Sequence, residues 1–196
     1  MRNIVGIDLG TTFSALEILN KIGKPEILPN SDGERLTPSA IFFDEENSDT
    51  VRVGIEAINS RHLNAERSVR WVKRHIGQSD YCKKIDDKEW SAVELSGLIL
   101  KKLKQDCSTE HGEVRDAVIS VPAHFDEVRR KATMDAGTTV GLNVLGIVNE
   151  PVAAALYYAT TREVSGKVLV YDLGGGTFDA SVLKVSSTRL PPTSSS

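Results

Sequence analysis

Two stretches near opposite ends of the chain share one pattern, and that pattern limits the architecture more than any other feature of the sequence. Ile4-Val5-Gly6-Ile7-Asp8-Leu9-Gly10-Thr11-Thr12-Phe13-Ser14 and Val168-Leu169-Val170-Tyr171-Asp172-Leu173-Gly174-Gly175-Gly176-Thr177-Phe178-Asp179 each run as an apolar strand into Asp-Leu-Gly. Each then turns on Gly and Thr and leaves as a second strand. Branched and aromatic residues favour the strands, and glycine permits the sharp turn. The copies begin at Ile4 and Val168, so each belongs to its own structural unit rather than to a short-period solenoid.

Between the copies, strand and helix signals alternate. Pro38 opens an extended run, Ser39-Ala40-Ile41-Phe42-Phe43, after the loop signal Asn30-Ser31-Asp32-Gly33. Residues 55–76 carry Arg61, Arg67, Arg70, Lys73 and Arg74 at roughly helical intervals and read as one helix with a solvated charged face. Ser91-Ala92-Val93-Glu94 is a capping box ahead of Leu95, Leu98, Ile99 and Leu103 at helical spacing. Ala117 to Val121 is an apolar strand stopped by Pro122, and a helix follows from the N-cap Asp126 to about Gly141. Asn143 to Val148 is a strand, and a helix starts near Asn149-Glu150-Pro151, where proline is tolerated in the first turn. Hairpins followed by alternating helices and strands predict an α/β layered domain. Residues 186–196, with five Ser, two Thr and two Pro, predict a disordered tail.

The two turns suit a phosphate chain held between hairpins. Glycines let backbone approach a ligand, successive N–H groups converge on an anion, and Thr hydroxyls add donors. An aspartate at a strand end does not favourably face phosphate directly, but it does so through a hydrated Mg²⁺, which prefers oxygen ligands and keeps several waters. Two such aspartates facing one another across a cleft would bracket the ion. One turn alone is a weak signal; both in matching strand contexts are a strong one. No G-x-x-x-x-G-K-[ST] and no strand-borne G-x-G-x-x-G is present, which disfavours P-loop and dinucleotide folds.

Other classes find little support. With 24 basic and 27 acidic residues the net charge of −3 advertises neither nucleic acid nor an anionic membrane surface. Asp8 interrupts the only apolar stretch at the start, so no signal peptide is expected, and no later run reaches membrane-spanning length. A cytoplasmic protein is the expectation. Cys82 and Cys107 fit no metal or redox spacing, and His62, His75, His111 and His124 form no ligand pair.

The segments 6–14, Val121-Pro122-Ala123-His124-Phe125, Ala136-Gly137, Gly141-Leu142-Asn143-Val144, Asn149-Glu150-Pro151-Val152-Ala153-Ala154-Ala155 and 172–179 resemble, in order, the ATPase domain of the DnaK-type 70-kDa heat-shock chaperones. The resemblance runs from about Asn3 to Val185. Actin and sugar kinases share the duplicated fold but not the Asn149 to Ala155 stretch. It implies an actin/hexokinase-like (ribonuclease H-like) ATPase fold comprising lobe I and the first hairpin of lobe II. Residues 1–36 and 90–166 would be the core subdomain of lobe I, 37–89 a small peripheral subdomain, and 167–185 the start of lobe II. The segment between Gly77 and Glu94 is shorter than in typical members, which implies a strand or two fewer there.

The resemblance also implies roles. Gly10, Thr11, Thr12 and Phe13 correspond to the first phosphate loop, and Gly174, Gly175, Gly176 and Thr177 to the second. Asp8 and Asp172 correspond to carboxylates around hydrated Mg²⁺. Lys73 matches the lysine that positions the attacking water and stabilises charge on the γ-phosphate; Glu150, Asp179 and Thr177 join it as catalytic-cleft residues. ATP or ADP with Mg²⁺ is the implied ligand. J-domain co-chaperones, nucleotide-exchange factors and unfolded client peptides are the implied partners of the full-length family. Pro122 and Arg130 read equally as a strand terminator and a surface charge, or as the family's proline–arginine relay. Two other readings are open: a non-catalytic interaction module, and a phosphotransferase of the actin and sugar-kinase class.

Overall fold

A computed structural model of the chain describes residues 4–47, 50–162, 164–175 and 178–186. Strand β1 (Ile4–Asp8) buries Val5 and Ile7 and turns through Gly10 into β2 (Phe13–Leu19), its antiparallel neighbour, with β3 (Pro25–Ile27) beyond and the short β4 (Thr37–Pro38) pairing with the start of β2. Strand β5 (Ala40–Phe43) is buried on both faces, as its unbroken apolar run requires. Ile41 and Phe43 enter the main core, while Ala40 and Phe42 pack with Ala57 of helix α1 (Ile55–Ser60). β5 lies between β6 (Val51–Val53) and β7 (Ser68–Arg70).

Residues 55–76 do not form one helix. α1 ends at Ser60, a 3₁₀ turn follows at Ala65–Arg67 with Asn64 as its cap, β7 pairs with β5, and a second 3₁₀ turn spans Val72–His75. The charge pattern misleads because Arg67, Arg70, Lys73 and Arg74 recur at helix-like intervals while belonging to a 3₁₀ turn, a strand and a second 3₁₀ turn. A hairpin, β8 (Cys82–Ile85) and β9 (Lys88–Ser91), precedes the long helix α2 (Ala92–His111). Its capping box forms as expected: Ser91 Oγ accepts from the Glu94 N–H at 3.2 Å, and the Glu94 carboxylate accepts from the Ser91 N–H at 2.9 Å.

Strand β10 (Asp116–Val121) then inserts parallel to β1, and β11 (Asn143–Asn149) lies parallel on its other side. Helix α3 (Glu127–Thr139) connects them, capped by Asp126 accepting from the Arg129 N–H at 2.9 Å. The main sheet therefore runs β11-β10-β1-β2-β3. Its core is the apolar stripe of α2, Leu95, Ile99, Leu100 and Leu103, packed with Val5, Ile7, Ala117 and Ile119 of the strands. Helix α4 (Glu150–Arg162) leaves β11 and joins the sheet to a separate hairpin, β12 (Gly166–Leu173) and β13 (Phe178–Val185). One face of this hairpin carries Leu169, Tyr171, Leu173, Phe178 and Val182, all exposed. Among the described residues the hairpin pairs with no other strand. The architecture is the expected mixed α/β one. Cys82 is exposed and Cys107 is buried. No helix among the described residues is long and apolar enough to cross a membrane. The tail reading falls on residues that, Ser186 apart, lie outside the described ones.

Candidate functional site

Parallel pairing places the end of β1 beside the end of β10, with Asp8 in register with Ser120. The Ser120 hydroxyl donates to Asp8 Oδ1 at 3.2 Å. The turn that follows is braced by two serines. The Gly10 N–H donates to Ser14 Oγ at 3.2 Å, the Ser39 hydroxyl donates to the Gly10 carbonyl at 2.8 Å, and the two hydroxyls lie 2.9 Å apart. Ser14 and Ser39 are both buried. A Cβ at Gly10 would overlap the Phe13 carbonyl oxygen, so only glycine lets the turn close this tightly. Ser39 lies outside the motif, and no signal in its own neighbourhood ties it to this turn.

The second turn meets the first. A Cβ at Gly175 would collide with Thr12, whose own Cβ lies 2.8 Å from that position. The Thr12 hydroxyl oxygen is buried there without a hydrogen-bond partner. A buried hydroxyl normally finds a partner, so one left unpaired between two glycine turns marks a place for an outside group. Asp172 and Asp179 face each other across the β12–β13 register. Like charges directly opposite oppose strand pairing and point to a role other than stability. The His124 ring nitrogen Nδ1 approaches Asp179 Oδ1 at 3.5 Å, linking the loop after β10 to β13. Nothing in the sequence around His124 foretells that contact. Gly174 and Gly175 are in the described turn, whereas Gly176 and Thr177 lie outside the described residues.

An ion pair joins residues 77 positions apart in sequence, Lys73 Nζ to Glu150 Oε1 at 2.5 Å. The Lys73 side chain is only 7% exposed, so the ammonium is withdrawn from water as a surface charge is not. Lys73 rides on the turn after β7, and Glu150 opens α4. Burial holds the Glu150 carboxyl above the ordinary glutamate range; the Lys73 ammonium pulls it down, and the Asp8 and Asp172 carboxylates push it up again. Residues from β1, α4 and β12 thus share one electrostatic neighbourhood with the lysine. Among the described residues no group of three or more acidic, histidine or cysteine side chains lies close enough to hold a metal ion by protein ligands alone.

The raised Glu150 pKa has a testable consequence. A carboxyl that binds its proton more tightly when folded stabilises the fold fully below the ordinary value of 4.5, and that contribution is lost as pH rises through the folded value. Urea unfolding between about pH 4.5 and about pH 7 is therefore expected to show this loss, and Glu150→Gln to flatten it. Equal slopes in both proteins would show that another group titrates.

Arg130 is no free surface charge. Its Nε donates to the Phe125 carbonyl at 3.0 Å and its guanidinium donates to Asn149 Oδ1 at 2.6 Å, which ties α3 to the residue before Glu150.

A family model described as Hsp70 protein matches residues 4–86 and 81–191. The chain belongs to the Hsp70 family. It is 47% identical over 184 residues to the chaperone protein DnaK of Thermotoga neapolitana and to that of Thermotoga maritima, and 46% identical to that of Thermosipho africanus. Each match covers 93% of this chain and 30% of the relative, so the chain spans less than a third of the length of the DnaK proteins it resembles. The Hsp70 family has the actin/hexokinase-like fold, and the mixed α/β sheet of this chain agrees with it.

Proposed function

We propose that the chain is the N-terminal ATP-binding portion of a DnaK-type chaperone ATPase domain, holding the polyphosphate of ATP or ADP between its two glycine turns. The observation that carries this reading is the approach of Gly175 to Thr12, which leaves a buried threonine hydroxyl without a partner where two backbone turns converge. The residues present fit a metal-complexed polyphosphate. Glycine turns offer N–H groups without side chains in the way, Thr11 and Thr12 add hydroxyls, and Lys73 brings a cation. Gly10 to Phe13 would form the first phosphate loop and Gly174 to Thr177 the second. Asp8 and Asp172 would hold Mg²⁺ through its waters. Bound Mg²⁺ supplies charge neutralisation for the phosphate oxygens.

The chain's own residues would do the rest by positioning and electrostatics. Lys73 would meet negative charge developing on the terminal phosphate and orient the attacking water. Glu150 fixes the lysine, and its raised pKa suits a group that exchanges a proton with water in the cleft. Asp179 and Thr177 would join them as catalytic-cleft residues, with His124 beside Asp179. In this reading residues 1–36 and 90–166 form the core subdomain of lobe I, 37–89 the peripheral subdomain, and 167–185 the first hairpin of lobe II. The Pro122 and Arg130 pair would pass the state of this cleft outward through Asn149. Co-chaperones of the J-domain class, nucleotide-exchange factors, unfolded peptides and a cytoplasmic location belong to the same reading.

Isothermal titration with MgATP tests it. Binding is expected, and Asp8→Ala is expected to weaken it by at least about tenfold, equivalent to about 1.4 kcal/mol. Binding indifferent to Asp8→Ala would remove the cleft as the site. The open apolar face of β12–β13 favours one other reading, an interaction module without catalysis. ATP turnover by the purified chain would exclude it.

A further inference from the structure

Trp71 stands immediately before the turn that carries Lys73, and its backbone is left-handed, φ 58 and ψ 25. Among the described residues only one other non-glycine residue, Asp86, has positive φ, and Asp86 sits in the tight turn between β8 and β9 where such a conformation is common. A bulky aromatic residue gains nothing locally from it. The Cβ is forced against the following carbonyl, and such strain persists only where the surroundings dictate it, most often at functional sites.

Here the surroundings are two guanidiniums. Arg70 lies 4.8 Å and Arg74 5.6 Å from the Trp71 ring centre, within cation–π range. Neither is paired with a carboxylate among the described residues. The Arg74 N–H also donates to the Trp71 carbonyl at 3.0 Å, closing the turn. Trp71 and Arg70 also help line a cavity of about 260 Å³ together with Thr11, Thr12 and Phe13 of the first glycine turn. A rotation about φ or ψ at residue 71 would swing everything after it, and Lys73 is two residues on.

We propose that Trp71 is a positioning residue, clamped by Arg70 and Arg74 so that the turn after it delivers the Lys73 ammonium to Glu150. Its bearing on phosphoryl chemistry rests on the role given above to Lys73, but the placement of the lysine is a property of the free protein.

Limited acylation with an acetyl N-hydroxysuccinimide ester, followed by peptide mass spectrometry, reads that placement without nucleotide. Only the neutral, accessible amine reacts, so a buried ammonium held by a carboxylate is protected. Glu150→Gln is the control that shows the assay senses the pair. Trp71→Ala is expected to raise Lys73 modification by about fivefold or more, and Trp71→Phe, which keeps a ring for the guanidiniums, to stay within about twofold of the parent. Lys102 and Lys104, hydrogen-bonded to Asp106 and to the Val140 and Gly141 carbonyls, should not change. If Trp71→Ala does not fold, the double variant Arg70→Ala, Arg74→Ala releases the same clamp and carries the same expectation. Lys73 as protected in these variants as in the parent would overturn the proposal, and so would a parallel rise at Lys102 and Lys104. Failure here with intact MgATP binding would leave the nucleotide reading standing, and the reverse pattern would leave the positioning role standing.

Discussion

Replacing Lys73 with alanine is expected to cost about 3 kcal/mol of folding stability near neutral pH, and to remove whatever ATP turnover the chain supports. The stability loss follows from the pairing alone. Lys73 and Glu150 are both largely withdrawn from water, and removing one partner leaves the other charge without compensation. The Glu150 carboxyl has one escape, which is to take up a proton. Its pKa is already raised by burial and by the Asp8 and Asp172 carboxylates, and the Lys73 ammonium is the influence that lowers it. Without the lysine the pKa climbs further. The loss should therefore be largest in the neutral to alkaline range and shrink as acid protonates Glu150, because a neutral carboxyl no longer asks for a partner. Urea unfolding of parent and variant across that range gives the curve directly. Adding Glu150→Gln to Lys73→Ala should recover most of the stability without restoring turnover. A loss independent of pH would mean that Lys73 stabilises by packing alone.

The second large effect belongs to Gly10→Ala. The added methyl meets backbone, not the flexible end of a side chain: it overlaps the Phe13 carbonyl oxygen and lies 3.1 Å from the carbonyl carbon. The turn has no slack to absorb it, because Ser14 and Ser39 hold it from both ends. Forcing atoms into a closed space costs about 1–3 kcal/mol, and the turn must open to accommodate them. Thr11 and Thr12 would then move away from Gly175. MgATP affinity should fall by more than about tenfold, beyond what the stability change explains. Gly146→Ala is the matched control, since a Cβ there meets nothing within 4 Å. Comparable affinity loss in both variants would detach the effect from the glycine turn.

The two turns were legible from sequence because their chemistry is local: Asp-Leu-Gly, small residues and flanking strands all fall within a dozen positions. The capping box at Ser91 and the cap at Asp126 were legible for the same reason. The strand over β5 could be read because four consecutive apolar residues need burial on both faces. Residues 55–76 could not be read by those means. Arg67, Arg70, Lys73 and Arg74 imitate a helical charged face, and only the pairing of β7 with β5, by register 26 to 30 residues earlier (Phe42 with Ser68, Ala40 with Arg70), separates strand from helix. The contact of Lys73 with Glu150 and that of His124 with Asp179 escape any local pattern, because each joins segments that only the fold brings together; the family resemblance alone placed Lys73, Glu150 and Asp179 in one cleft, and it gave no sign of His124. Trp71 was hidden for another reason. Left-handed backbone announces itself when the residue is glycine or asparagine, and tryptophan gives no such notice.

The parallel pairing of β1 with β10 sets an order of events during synthesis. The carboxylate of Asp8 and the hydroxyl that holds it are separated by 112 positions. While the ribosome is still translating the intervening segment, β1 can zip only to β2, and the edge that β10 will occupy stays bare. Non-local parallel pairing is slow, and bare edges invite association between nascent chains. Asp8 therefore meets its Ser120 partner only after the growing chain has passed through that exposed stage.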